Sequence, residues 1–316
     1  MRLPEYRYRF SSKKKIKRAS LTKIVVLILF VVALGAGTFF GITHRAFNFL
    51  IKEKGNDTDI YELWEKHNYS GVIESCKKIL AKEPMNATAL TMAGFAYFYE
   101  GINRFSAEER IQMIDRAIIN LRKAELIKNR PVPGAIQYTL GKSYFHKGKF
   151  YLDLAVRYFE GSLTKNYKGK DTYEYLGLAL SSLGKYEESI KYFLKAIQEN
   201  PSGLLYLTLA QTYYKLDNID ASEEYLIRAI NRTQDAGIEE KSRFFLARIY
   251  RDRGDYLKAE EQYNKIIEKN PESADAHFNL GEVYNELNDQ VKARAEWRTT
   301  LRIDPSHYGA RLRLYD

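Results

Sequence analysis

The chain has little of what small enzymes and cross-linked secreted domains use. Of 316 residues one is cysteine, Cys76, so no internal disulfide can form. The five histidines, His44, His67, His146, His277 and His307, are scattered. None forms HExxH or another pair at metal-ligand spacing, and no nucleophile stands in a local catalytic signature. Neither an enzyme, a metal nor a cofactor is expected. Gly141-Lys142-Ser143 ends like a phosphate-binding loop. Such a loop needs a glycine five residues earlier, where the chain has the β-branched Ile136, and it should follow a buried strand, which GAIQY is not. Proline is scarce too. Of seven, all but Pro4 fall at 84, 131, 133, 201, 271 and 305, spaced as helix stops rather than scattered through loops.

Charge is missing from one stretch altogether. Residues 24–43, IVVLILFVVALGAGTFFGIT, carry none, and 20 residues of helix span about 30 Å, the thickness of a bilayer's hydrocarbon core. Before it, residues 1–23 hold nine Lys or Arg against Glu5 alone, a balance of +8 within the chain's +10. The remaining +2 over 293 residues argues against a broad nucleic-acid-binding face. The pattern reads as a cytoplasmic tail (1–23), a single transmembrane helix (24–43), a linker (44–52) and a body across the inner membrane, in the periplasm. A cleaved signal peptide is the competing reading, because Ala33 and Ala36 resemble a cleavage site. Phe39 and Phe40 carry the apolar run past it and favour the anchor. Ala33, Gly37 and Gly41 form a small-residue seam on which two anchors could pair.

The body repeats. Residues 274–305 and 240–271 align at a period of 34. Leu280-Gly281 matches Leu246-Ala247, Tyr284 matches Tyr250, Ala293 matches Ala259, Trp297 matches Tyr263, and Pro305 matches Pro271. Residues 170–201 repeat the order with Leu176-Gly177, Gly184, Tyr186, Phe193, Ala196 and Pro201. Residues 203–234 repeat it with Leu209-Ala210, Tyr213, Leu226 and Ala229. The stretch from 134 supplies Leu140-Gly141, Tyr144, Gly148 and Phe150, with Ala155 and Phe159 displaced by two residues. Copies near 87 and 53 are less regular. The first contains Ser106-Ala-Glu-Glu109, a capping box opening a long helix to about Lys128, and the second keeps Tyr69, Cys76 and Pro84.

This order of Leu-Gly, Tyr, Ala, aromatic and Pro resembles the tetratricopeptide repeat. The resemblance implies an all-α superhelical solenoid of about seven helix pairs over 53–305, starting near 53, 87, 134, 170, 203, 240 and 274. A capping helix follows at 306–316. Each pair is too small to bury its apolar faces alone, so neighbours complete the core. Cys76, at an aromatic place, is expected to be a packed thiol, and His277, where the family often has Trp, a packing residue.

In that family the first helix of each pair lines a concave groove. The matching positions are Phe95 and Phe98; Tyr138, Lys142 and Phe145; Glu174 and Leu178; Leu207, Gln211 and Tyr214; Phe244, Arg248 and Arg251; and Phe278 and Glu282. Aromatics interleaved with charges suit a peptide or amphipathic helix of another protein. Some members grip a C-terminal carboxylate with a Lys, Asn and Arg clamp. The corresponding places from 203 onward hold Leu207, Gln211, Phe245, Asp275 and Asn279, none of the required type. The architecture resembles anchored repeat scaffolds of bacterial envelope machines, such as translocon-associated proteins or the periplasmic flagellar collar. It implies a scaffold that assembles an envelope complex, with a periplasmic holdase for unfolded or amphipathic peptides as the alternative.

Overall fold

The computed structural model describes residues 58–315. The expected tail 1–23, membrane segment 24–43, linker 44–52 and His44 lie outside the described residues. Among the described residues no helix is long and apolar enough to cross a membrane.

Those residues form fifteen α-helices and no strand. They are α1 (Thr58–Glu65), α2 (Tyr69–Lys82), α3 (Ala87–Ile102), α4 (Ala107–Glu125), α5 (Pro133–Lys147), α6 (Leu152–Thr164), α7 (Thr172–Ser182) and α8 (Tyr186–Glu199). The series continues with α9 (Gly203–Lys215), α10 (Ile219–Arg232), α11 (Ala236–Asp252), α12 (Tyr256–Lys269), α13 (Ala274–Glu286), α14 (Gln290–Ile303) and α15 (Tyr308–Tyr315). Turns of a few residues join α1 to α2, α3 to α4 and so on, which leaves the second helix of each pair no course but back along the first.

One backbone device makes most of these turns. His67, Gly184, Asp217, Gly254 and Asn288 have φ between 55° and 80°, the left-handed conformation that ends a helix. The N–H after each donates to the carbonyl five residues before it. These bonds run from Asn68 to Leu63, Lys185 to Leu180, Asn218 to Tyr213, Asp255 to Tyr250 and Asp289 to Tyr284, at 2.8–3.0 Å. Asn68, Asn218 and Asp289 then accept a backbone N–H of the next helix at 2.9–3.1 Å. Two adjacent residues therefore finish one helix and start its partner.

The third pair departs from this scheme. A 3-10 turn, Lys149–Tyr151, separates Gly148 from α6, which accounts for the two-residue displacement of Ala155 and Phe159. Its consequence is a correction at Phe150. That ring, aligned with the packed tyrosines of other copies, is 87% exposed, and Leu152 is buried instead.

Within each pair the small residue after leucine sets the helix spacing. A Cβ on Gly177 would stand 2.6 Å from the Phe193 ring, one on Gly141 2.9 Å from Phe159, and one on Gly281 2.5 Å from Trp297. The aromatic of the second helix lies directly on the backbone of the first. Leu140, Leu176, Leu209, Leu246 and Leu280 beside these places are at most 3% exposed. Their contacts run between pairs as well as within them. One apolar cluster joins Leu90, Ile118, Leu140, Phe159 and Leu180, and another joins Leu207, Leu226, Tyr250, Tyr263 and Leu280. Cys76 is fully buried, and His277 bridges Glu296 (2.6 Å) and the Pro271 carbonyl (3.1 Å).

Gly177→Ala is expected to destabilise, because overpacking of about 1–3 kcal/mol exceeds the helix-propensity gain of about 1 kcal/mol. Phe193→Leu in that background should recover part of the loss, a coupling of roughly 0.5–1 kcal/mol in a double-mutant cycle by urea denaturation. Gly161→Ala, whose methyl would have the movable terminal amide of Gln137 as its nearest neighbour, serves as control and should destabilise less. A second expectation isolates the turn. Nothing lies within 4 Å of a Cβ at Gly254, so Gly254→Ala should lose about 1 kcal/mol through backbone conformation alone.

Candidate functional site

The expected groove residues sit on α3, α5, α7, α9, α11 and α13, and the structure divides them into three groups. In the first, the chain fills its own groove. Phe98 is 1% exposed and Tyr138 9%. Phe98 packs beside His146 of α5, with ring centroids 6.0 Å apart, and Phe95 beside Trp64 of α1 at 6.2 Å. Lys142 Nζ lies 2.8 Å from Asp171 Oδ2, with the ring centroids of Tyr175, Tyr138 and Phe98 at 4.8, 5.4 and 5.8 Å. The Tyr138 hydroxyl donates to the same carboxylate. Burial, followed by that hydrogen bond, holds the Tyr138 hydroxyl far above its ordinary range, and burial pushes Tyr99 and Tyr175 up to about 12. Phe145 meets the Tyr175 ring edge-on at 4.9 Å. Burial raises the carboxyl of Glu174, and nearby Asp171 adds to the shift. Lys142 was expected to face a partner. Here its charge is met within the chain by a residue 29 positions away, and the cluster ties α5 to the start of α7.

The second group lies under the last helix. Phe278 packs against His307 with centroids 4.6 Å apart, and Glu282 accepts two hydrogen bonds from Arg313 of α15, at 2.9 and 2.7 Å. Leu178, between the ends, is half-buried against the Phe193 and Leu209 cluster.

The third group is open. Gln211 and Tyr214 of α9 and Phe244, Arg248 and Arg251 of α11 line one cavity of about 670 Å³. Lys215, Lys241, Phe245, Tyr263 and Asn279 complete its wall. Leu207 is buried and does not line it. Tyr214 and Phe245 meet edge-on at 5.0 Å. The Arg248 guanidinium lies over both rings, 5.1 and 4.8 Å from their centroids, and Arg251 donates to Asn279 Oδ1 at 3.3 Å. Of the five additional residues, Lys241 carries a signal in the sequence. Lys241, Phe244, Arg248 and Arg251 follow one another at three- and four-residue steps, so they share a helix face.

Tetratricopeptide-repeat family models match residues 171–202, 204–235 and 246–308. The chain carries tetratricopeptide repeats. A solved tetratricopeptide repeat-containing protein of Cytophaga hutchinsonii, its C-terminal part, superposes with a TM-score of 0.64. The match is 20% identical and covers 81% of this chain and 98% of that one, a likeness of fold. The structure of MamA gives 0.49 at 22% identity, over 54% of this chain and 92% of that one. A curated protein, the BBSome complex member BBS4 of Bos taurus, is 27% identical over 141 residues. Those residues are 44% of this chain and 26% of that protein. The repeats suit protein–protein interaction, and among the described residues no group of three His, Cys, Asp or Glu could hold a metal ion.

Within the filled part of the groove, burial, with Lys142 and Arg110 nearby, lowers the pKa of His146, against a weaker opposing effect of Asp171. The Tyr175 hydroxyl is 3.1 Å from its Nε2. The folded imidazole therefore resists a proton that the unfolded chain takes up near pH 6.5. Its stabilising effect is present above that pH and lost as pH falls below it. Urea unfolding from pH 7.5 to 5.5 should show the wild type losing more stability than His146→Gln. Parallel curves would refute this.

Proposed function

We propose that the protein is a membrane-anchored interaction scaffold that seats one segment of a partner protein in the cavity between α9 and α11. Residues 24–43 would hold it in the inner membrane, with the basic tail in the cytoplasm and the repeats in the periplasm. There it would assemble or stabilise an envelope complex. The carrying observation is the contrast along the groove. Upstream aromatics are sealed by Asp171 and downstream ones by α15, while Tyr214 and Phe244 line open space. The anchor rests on the charge-free run and the +8 before it. A holdase for unfolded chains would draw on a continuous apolar groove. A local cavity in an otherwise filled groove favours one stoichiometric partner.

Two measurements test the proposal. Alkaline extraction should leave the chain in the membrane, and protease added to spheroplasts should digest the repeats to a small anchor fragment. Protected repeats, or a mature chain beginning near Gly37, would overturn the anchored topology. In cross-linked cells Tyr214→Ala with Phe244→Ala should lose a stoichiometric partner, since buried aromatic anchors cost about 2 kcal/mol or more on truncation. Lys191→Ala with Glu261→Ala, on second helices, should keep it. Melting temperature is measured on each, because Phe244 also packs on Tyr263. A folded groove variant that retains its partner would move the site elsewhere.

A further inference from the structure

Four cations line the open cavity: Lys215, Lys241, Arg248 and Arg251. No carboxylate shares that wall, and none of the four takes part in an ion pair among the described residues. Several other cations of the repeats do have carboxylate partners. Lys142 is paired with Asp171, Arg243 and Lys269 with Glu239, Arg253 with Asp220 and Glu223, and Arg313 with Glu282. Inside the cavity four cations share one wall with no carboxylate among its lining residues.

The two arginines are already aimed. Stacking on Tyr214 and Phe245 fixes the plane of Arg248 while leaving its N–H fork without an acceptor. Asn279 holds one nitrogen of Arg251 and leaves the rest. Three residues apart on α11, they present two carboxylate-sized sites on one face, next to the Phe244 and Tyr214 rings.

We propose, resting on the groove reading above, that the segment seated here is acidic. At least two Asp or Glu carboxylates would be taken by Arg248 and Arg251, and an adjacent aromatic or aliphatic side chain would lie against Tyr214 and Phe244. Charge complementarity identifies the occupant as a partner's acidic segment rather than this chain's own tail, whose +8 the same cations repel. It also disfavours nucleic acid. The adjoining first helices, α7 and α13, carry no lysine or arginine to continue the cationic strip along a longer strand. The cations stand at other positions than the five of the family's carboxylate clamp, so a free C-terminus is not required.

Binding to the full, detergent-solubilised chain would be followed by fluorescence anisotropy, with three labelled probes. These are a peptide of repeated Glu-Glu-Phe units, its Gln-Gln-Phe counterpart, and an oligothymidylate. The acidic peptide should bind at least about tenfold tighter than the glutamine peptide, and weaken as salt rises. Arg248→Gln with Arg251→Gln should remove about tenfold or more, while Arg248→Lys with Arg251→Lys should retain part of it. Lys13→Gln with Lys14→Gln should change affinity less than twofold, which separates the groove from the tail. Helical content and melting are recorded for every variant, and the arginine positions, half-buried or exposed, leave the fold intact. Equal affinity for both peptides, still lost on Tyr214→Ala with Phe244→Ala, would overturn the acidic preference and leave the groove standing. Peptide binding untouched by either pair of groove substitutions would overturn both readings. Tighter binding of the oligothymidylate, lost in the arginine variant, would make the cavity a nucleic-acid site and overturn the proposal.

Discussion

The approach of an aromatic ring to a bare backbone sets the geometry of this molecule. Phe159 on Gly141, Phe193 on Gly177 and Trp297 on Gly281 bring the two helices of a pair closer than any side chain would allow. That contact fixes the spacing at which leucines such as Leu140, Leu176 and Leu280 meet the next pair. None of these pairs encloses its own core, so stability passes from neighbour to neighbour. The cavity inherits this dependence. Its walls come mainly from α9, α11 and α13, first helices of three successive pairs, with Tyr263 of α12 added, so it depends on how those pairs stack.

A groove lined by aromatics meets two competing demands. The same rings that could hold a partner lower the free energy of the empty protein when they pack on each other. At α5 and α7 packing has won: Tyr138, Lys142 and Asp171 form a half-buried knot whose hydrogen bonds leave little for a ligand. At α13 the final helix has won, laying Arg313 across Glu282 and His307 beside Phe278. Around α11 the first-helix side chains line open space instead, and the cations among them meet no carboxylate.

The sequence made the pairing of helices legible, because Leu-Gly, Tyr and the facing aromatic lie within one 34-residue window and their spacing records a local contact. It also recorded the slip of Ala155 and Phe159. The 3-10 turn that follows Gly148, with Phe150 turned outward and Leu152 buried, was not legible. For the groove, alignment told which face of each helix points inward, and so found Gln211, Tyr214, Phe244, Arg248 and Arg251. It could not tell which inward positions are vacant, because that depends on distant residues. Lys142 is answered by Asp171 and Glu282 by Arg313, pairs separated by 29 and 31 positions. Lys241 was within reach of sequence reasoning, since the 241, 244, 248 and 251 stripe has helical spacing. Asn279 was not, because it reaches the cavity only through Arg251.

Four cations around one cavity with no carboxylate in its lining carry a physical implication. Like charges one turn apart on a helix cost about 0.2–0.5 kcal/mol for each pair, and four cations around one concavity add to that cost while it is empty. Glu239, paired with Arg243, shows that α11 readily holds a carboxylate opposite an arginine. Sequences depart from local consistency chiefly where a site is built, and other contacts compensate for the cost. Here the compensation is nearby: Tyr214 and Phe245 give Arg248 its two rings, and Asn279 steadies Arg251, so both guanidinium groups are held in place before any carboxylate arrives. A binding segment would then lose less conformational freedom on the protein's side and would remove the repulsion among the four cations. The strained feature of the free protein is thus the one that an acidic partner relieves.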